Sequence, residues 1–216
     1  MTVSFLEFLR SRSDDFLMLG LEHFAIVLAA VALASVIGVS LGVATYRTER
    51  PREIALAVAG AFLTIPSFAL LVLFVGPLGL GATNVLVALT MYGLLPILRN
   101  TIIGLRGVDP AVVESALGMG LDRRQRLVRI ELPLAWPVII TGMQVSTLIL
   151  VGGAAIGAVV LGPGYGEFIF AGLYRVGTDV AINLVLAGVL GVVLVALTFE
   201  VAYGVLRRIT TSRGLR

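Results

Sequence analysis

Residues 104–133 read GLRGVDPAVVESALGMGLDRRQRLVRIELP, a stretch carrying the end signals of two short helices inside a chain that is otherwise mostly apolar. Asp109 followed by Pro110 has the form of an N-cap and a first helical residue, because proline's missing N–H and fixed φ suit that position. The helix so begun is predicted to run to about Leu117, with Gly118 or Gly120 taking the left-handed conformation that ends it. Asp122 restarts a helix, and Gln125 three residues on completes a capping box. Pro133 is expected to close this second helix and open the next apolar segment. Two short helices around a glycine corner make a compact knob.

On either side of the knob the chain is built for lipid. Of its 216 residues 58% are apolar and 13% charged, against about 25% charged in soluble domains. Mean hydropathy is +1.05. Five stretches are long and apolar enough to span a bilayer, roughly 21–46, 53–76, 82–103, 134–161 and 182–206. The second and third are separated only by GPLGLGATN, where the glycines and Pro77 make a turn credible. The expected architecture is therefore all-α and polytopic, with five transmembrane helices. Residues 1–20 form an N-terminal segment, 21–206 the five-span domain and 207–216 a tail. Glu7, Arg10, Arg12, Asp14 and Asp15 exclude a signal peptide in the first segment. Its Phe5, Phe8, Leu9 and Phe16 suit a helix lying on the membrane surface.

The arginines orient the chain. There is no Lys, and 13 of the 16 arginines fall between spans one and two, in or beside the 104–133 connection, or in the tail. Positive charge marks the cytoplasm, so the expected N-terminus is outside, the C-terminus inside and the number of spans odd. The charge excess is a topology signal, and nucleic-acid binding is not expected.

Absences narrow the chemistry. With no Cys and one His, disulfides, thiolate metal sites and paired-His ligation within the chain are excluded. Without Lys there is no phosphate-cradling G-x-x-x-x-G-K-[ST] loop, so ATP hydrolysis by that route is excluded, as is a lysine Schiff base. No catalytic or metal residue is expected.

Glu114, Ser115, Ala116, then Gly120, Ile130, Leu132 and Pro133 resemble, at matching spacing, the E-A-A–x3–G–x9–I-x-L-P signature of ABC-importer permeases, with Ser115 in place of the commoner alanine. The run from Ile65 to Ile139, with MYGLLPILRNT and RGVDP inside it, and GYGEFIFAGL after span four are similar to the glycine betaine, carnitine and choline branch of that family. The resemblance covers roughly residues 20–206. It implies a type I importer permease core in the bacterial cytoplasmic membrane, whose knob forms coupling helices seated on a separate ATPase. The seven signature residues are then the ATPase contact. ATP and Mg²⁺ belong to that ATPase, and this chain needs no cofactor of its own. The implied partners are a second permease chain, identical or sister, two ATPase subunits, an extracytoplasmic solute-binding protein and membrane lipid. Some relatives carry such a binding domain fused, and a separate one is expected here. An importer for another zwitterion, such as an ergothioneine-like solute, fits the same residues. A secondary transporter fits less well, because five spans do not divide into two equal repeats.

Polar groups within the spans mark a solute path or helix packing. The path candidates are Thr64, Pro66 and Ser67 on span two and Thr141, Gln144 and Thr147 on span four; Thr141, Gln144 and Thr147 could equally bond neighbouring helices. Pro66 in mid-span kinks its helix. Glu200, the one carboxylate well inside a span, reads as an ion pair or packing hydrogen bond. Gly152, Gly153, Ala154, Ala155 and Gly157 read as a close-packing surface. His23, Tyr46 and Trp136 read as interfacial residues. No cluster of Trp and Tyr for a quaternary ammonium appears on the spans, which suits a low-affinity conduit.

Overall fold

The computed structural model describes residues 4–210, and among these the protein is all-α, with no strand. The helices are α1 (Phe5–Ser11), α2 (Ser13–Thr45), α3 (Glu49–Thr64), α4 (Ser67–Leu78), α5 (Ala82–Arg106), α6 (Pro110–Gly118), α7 (Arg123–Arg126), α8 (Leu132–Ile156), α9 (Gly166–Leu173) and α10 (Asp179–Thr210). A π-turn, Leu127–Glu131, joins α7 to α8, and a 3-10 turn, Gly157–Val160, follows α8. Four helical stretches are long and apolar enough to cross a membrane uninterrupted, and α3 with α4 passes the same test only as a bent pair, which makes five if the pair is one span.

Span one starts earlier than its hydropathy suggests. Its helix begins at Ser13, because Asp14 and Asp15 suit the positive end of a helix dipole. Phe16 and Phe8 do not lie free on a surface: Phe16 packs on Tyr165 with ring centres 4.9 Å apart, and buried Phe8 meets Phe168 edge-on at 6.5 Å. Arg207 and Arg208 belong to the last turns of α10, while Arg213 and Arg216 lie outside the described residues.

Pro66 does more than kink its span. The axes of α3 and α4 meet at 98°. Proline disfavours helical geometry in the residue before it, and Ile65 is extended at φ −72°, ψ 128°. The apolar part of α3, residues 54–64, is about 16 Å long by helical rise, about half the ~30 Å a hydrocarbon core requires.

Pro133 does the opposite of what its position predicts: the helix does not end before it. Helical structure runs without interruption from Arg123 to Val160. The π-turn immediately upstream widens the ladder, with the Leu132 N–H reaching back to the Leu127 carbonyl. That wider turn accommodates the proline ring and the hydrogen bond it cannot make.

At the centre lies α5, packed chiefly against α8 and α2. Small residues bring these axes together. A methyl group added to Gly142 would sit 2.6 Å from the Asn100 Cβ and 2.8 Å from the Pro96 carbonyl oxygen. The predicted small-residue surface is used in part: Ala154 is buried, and Gly153 and Gly157 approach Leu89 and Val85, whereas Gly152 has open space around it.

His23 is not interfacial but fully buried. Its Nε2 donates to the Val151 carbonyl at 3.1 Å and its Nδ1 accepts the Tyr165 N–H at 3.3 Å, tying α2, α8 and the segment before α9 together. The GYGEF run is the other half of this contact, with Gly164 at φ +110° lying against the imidazole.

Candidate functional site

The knob forms as its end signals dictate. The Asp109 carboxylate accepts the Ala111 N–H at 2.8 Å, and Pro110 occupies the first position of α6. At the far end the Gly120 N–H bonds the Leu117 carbonyl at 2.9 Å and the Leu121 N–H bonds the Ala116 carbonyl at 3.1 Å. This pair of bonds is a Schellman motif, which needs a left-handed residue, and Gly120 supplies it at φ +80°. Gly118, the other candidate, remains in the helix. Asp122 and Gln125 then cap α7 reciprocally at 2.8 and 3.0 Å.

The signature residues divide between two places. Glu114 and Ser115 are exposed on α6, where the Ser115 hydroxyl donates to the Ala111 carbonyl, while Ala116 turns inward and is buried. Around them Val112, Leu117 and Met119 expose apolar side chains on a segment projecting from the bundle. Ile130, Leu132 and Pro133 instead line a groove of about 760 Å³ at the base of the knob, shared with Val128 and Trp136. The knob therefore presents a small, mixed polar and apolar face that none of the described residues covers.

Between the knob and the ends of α2, α3 and α5 lies a second cavity of about 500 Å³, bordered by Arg106, Glu114 and Arg126 among others. On its wall is a residue that no sequence motif singles out. Glu131, between Ile130 and Leu132, is 3% exposed. One carboxylate oxygen accepts the Tyr46 hydroxyl at 2.6 Å, and the other accepts an Arg47 guanidinium N–H at 2.6 Å. Tyr46 is thus no interfacial anchor but a buried donor. It stands just past the last residue of α2, and its pKa is pushed up to about 12, first by burial and then by the Glu131 carboxylate. The phenol remains protonated at any physiological pH and keeps donating. A carboxylate flanked by apolar residues where a helix enters the membrane was the available signal.

The span-two candidates converge on the break. Thr64, Pro66 and Ser67, with Tyr92, line a cavity of about 360 Å³. The Tyr92 hydroxyl donates to the Ile65 carbonyl at 2.7 Å, and the Thr64 hydroxyl to the Ala61 carbonyl at 2.7 Å. The span-four candidates do not join them. Thr141 is exposed and bonds its own helix at the Pro137 carbonyl. Thr147 is buried against the Tyr203 hydroxyl at 2.8 Å. Gln144 donates to Glu200 at 2.7 Å and accepts from Arg207 at 2.8 Å. Glu200 is therefore held in an α8–α10 packing relay.

No group of three or more His, Asp or Glu side chains able to hold a metal occurs among the described residues. The geometry is that of a polytopic bundle with a projecting knob at its arginine-rich end and a polar break inside one span.

Comparison with known proteins gives this geometry a context. The family model described as "Binding-protein-dependent transport system inner membrane component" matches residues 34–211. The choline transport system permease protein OpuBB of Bacillus subtilis is 34% identical over 210 residues, covering 97% of this chain and 95% of that protein. The osmoprotectant import permease protein OsmY of Salmonella typhimurium is 37% identical over 171 residues, covering 78% and 72%. Among solved structures, a chain of the MetNI methionine ABC transporter in an inward-facing conformation superposes with a TM-score of 0.79. It is 21% identical over 89% of this chain and 94% of that one.

Proposed function

Because the chain belongs to the binding-protein-dependent transport system inner membrane components, a family of multi-pass ABC-transporter permeases without catalytic activity of their own, we propose that it forms the solute path of an ATP-driven importer for osmoprotectants such as glycine betaine, carnitine or choline. The observation that carries this reading is the knob. Its Glu114 and Ser115, with Val112, Leu117 and Met119 beside them, form a small exposed face on a helix capped at both ends, at the end of the bundle where the arginines collect. Such a face suits docking on a separate ATPase, which binds the ATP and Mg²⁺. Arg47, Arg50, Arg52 and the arginines of the knob set that end in the cytoplasm, with the N-terminus outside.

A single bundle has its centre filled by α5, so the path runs where two permease chains, identical or sister, face each other. Two ATPases and an extracytoplasmic binding protein complete the assembly. On this chain Thr64, Pro66 and Ser67 line the path, with Thr141 on the exposed side of α8. The break suits a solute with both charges. The C-terminus of α3 and the N-terminus of α4 meet at the break and are helix ends of opposite partial charge, even though the Ala61, Phe62 and Ile65 carbonyls already accept hydrogen bonds. A quaternary ammonium is complemented by the first, a carboxylate by the second.

The test is reconstitution in liposomes loaded with ATP, with and without ATPase and binding protein. Uptake of labelled glycine betaine that requires all three components is the expected result. Saturable uptake by the permease alone would replace this reading with a secondary carrier. Calorimetry on the cognate binding protein separates osmoprotectants from an ergothioneine-like zwitterion.

A further inference from the structure

The signature I-x-L-P leaves its second position open, and here that position is Glu131. A carboxylate with 3% exposure at the membrane boundary is costly unless both oxygens are satisfied, and both are. Its partners lie more than eighty residues away, at the end of α2, so the contact is a tertiary bond between the base of the knob and span one. Arg47 also lies over the Tyr46 ring, 5.0 Å from its centre, which holds the two donors together. The bond is placed where the knob meets the bundle: the π-turn Leu127–Glu131 carries α7 on one side and α8 on the other.

The chain just beyond Arg47 matters equally. Thr48 is the N-cap of α3, so the two donors are separated from that helix by one residue. Helix α3 is uninterrupted for 16 residues, about 24 Å, and ends at the Pro66 cavity. A displacement of the knob relative to span one is therefore passed through Glu131 to the base of a stiff rod, whose other end borders the break.

We propose that Glu131 is a positioning residue for transport, clasping Tyr46 and Arg47 so that movement of the knob on its ATPase is delivered through α3 to the solute cavity. This rests on the reading of the knob as the ATPase contact. Without the clasp, the ATPase still engages α6, because none of the exposed residues Val112, Glu114, Ser115 and Met119 is altered. Hydrolysis then proceeds but moves solute poorly.

The experiment compares the reconstituted wild-type complex with Glu131→Gln, Tyr46→Phe, Arg47→Glu, Glu131→Arg and the doubly reversed Arg47→Glu/Glu131→Arg. Labelled glycine betaine uptake is measured per ATP hydrolysed. The expected result is a fall of fivefold or more in that ratio for Glu131→Gln, with ATP hydrolysis by the assembled complex within twofold of wild type. Tyr46→Phe, which keeps the ring and threatens folding least, lowers the ratio to a smaller extent. The charge-reversed pair recovers most of what each single reversal loses. A role confined to folding would lower the amount of assembled complex and leave the ratio unchanged, and that outcome in Glu131→Gln and Tyr46→Phe would overturn the proposal. If the wild-type complex itself shows no ATP-dependent uptake, the reading of the knob falls and this proposal with it. Wild-type uptake with an unchanged ratio in the variants removes the clasp alone.

Discussion

Replacing Gly120 by valine tests whether the knob's shape, rather than its surface chemistry, carries coupling. The corner holds φ at +80°, and a Cβ built there meets nothing within 4 Å. Crowding is therefore not the issue, and the penalty is the backbone's own. A non-glycine residue in the left-handed region costs about 1–2 kcal/mol, and a β-branched one about 2–3 kcal/mol. Opposing it are the two bonds that close the corner, Gly120 to Leu117 and Leu121 to Ala116, at a net ~1 kcal/mol each. Support and penalty are of similar size, so with valine the corner is formed half of the time or less. With alanine it is formed more often, and with asparagine, which tolerates this region, nearly always. The assay is ATP-dependent uptake in the reconstituted complex, with the amount of inserted permease measured alongside. Uptake should fall in the order Gly, Asn, Ala, Val at constant insertion, since the corner touches no part of the membrane core. Uptake by Gly120→Val within twofold of wild type would refute the reasoning. So would an asparagine variant as damaged as valine, because side-chain bulk at the partner surface, not backbone, would then be responsible.

A cysteine introduced at position 107 should react with an impermeant thiol reagent only from the cytoplasmic side, there being no native Cys to interfere; labelling from outside would invert the assigned topology. Gly142→Leu should lower the melting temperature of the detergent-solubilised protein by overpacking the α5–α8 contact, at about 1–3 kcal/mol or more, and an unchanged transition would contradict the close approach at Asn100. His23→Ala should destabilise by a comparable amount, about 1–3 kcal/mol per stranded group, because the Val151 carbonyl and the Tyr165 N–H both lose their partner. A variant as stable as wild type in the same melting assay would return His23 to an interfacial role.

The knob was legible almost to the residue because its determinants are local. Asp109 reaches Ala111, Asp122 reaches Gln125, and Gly120 needs only its own φ, so each signal and its effect lie within a few positions. Spans were legible as apolar stretches for a related reason: hydropathy depends on composition, not on neighbours. The contacts of their polar residues were not. Thr147 and Gln144 look alike from sequence whether they face a solute or α10, and the structure places both against α10. His23, Tyr46 and Glu131 were invisible as a class, since their partners are 84 to 142 residues away. Periodicity reports which side of a helix is polar and is silent on what stands opposite.

The prolines make this limit concrete. Pro66, Pro77, Pro96, Pro133 and Pro137 all sit in apolar helical sequence, and each removes a donor and crowds the preceding turn. Their consequences differ because the compensation differs. At Pro96 and Pro137 the helix continues, and the proline carbonyls accept the side chains of Asn100 and Thr141 one turn on, which does not replace the bond each ring denies to the carbonyl four residues before it. At Pro133 a π-turn upstream absorbs the mismatch and the helix runs on. At Pro66 the Ile65 carbonyl finds the Tyr92 hydroxyl of α5 instead, and Thr64 turns its own hydroxyl back onto Ala61, so the break is satisfied as it stands and need not heal. Pro66 thus opens a cavity because a tyrosine 27 residues away supports the opened backbone, whereas the helices that carry Pro96, Pro133 and Pro137 run on through them. The residue that breaks the helix is local, but the residue that makes the break usable is not, and a solute path through this span depends on both.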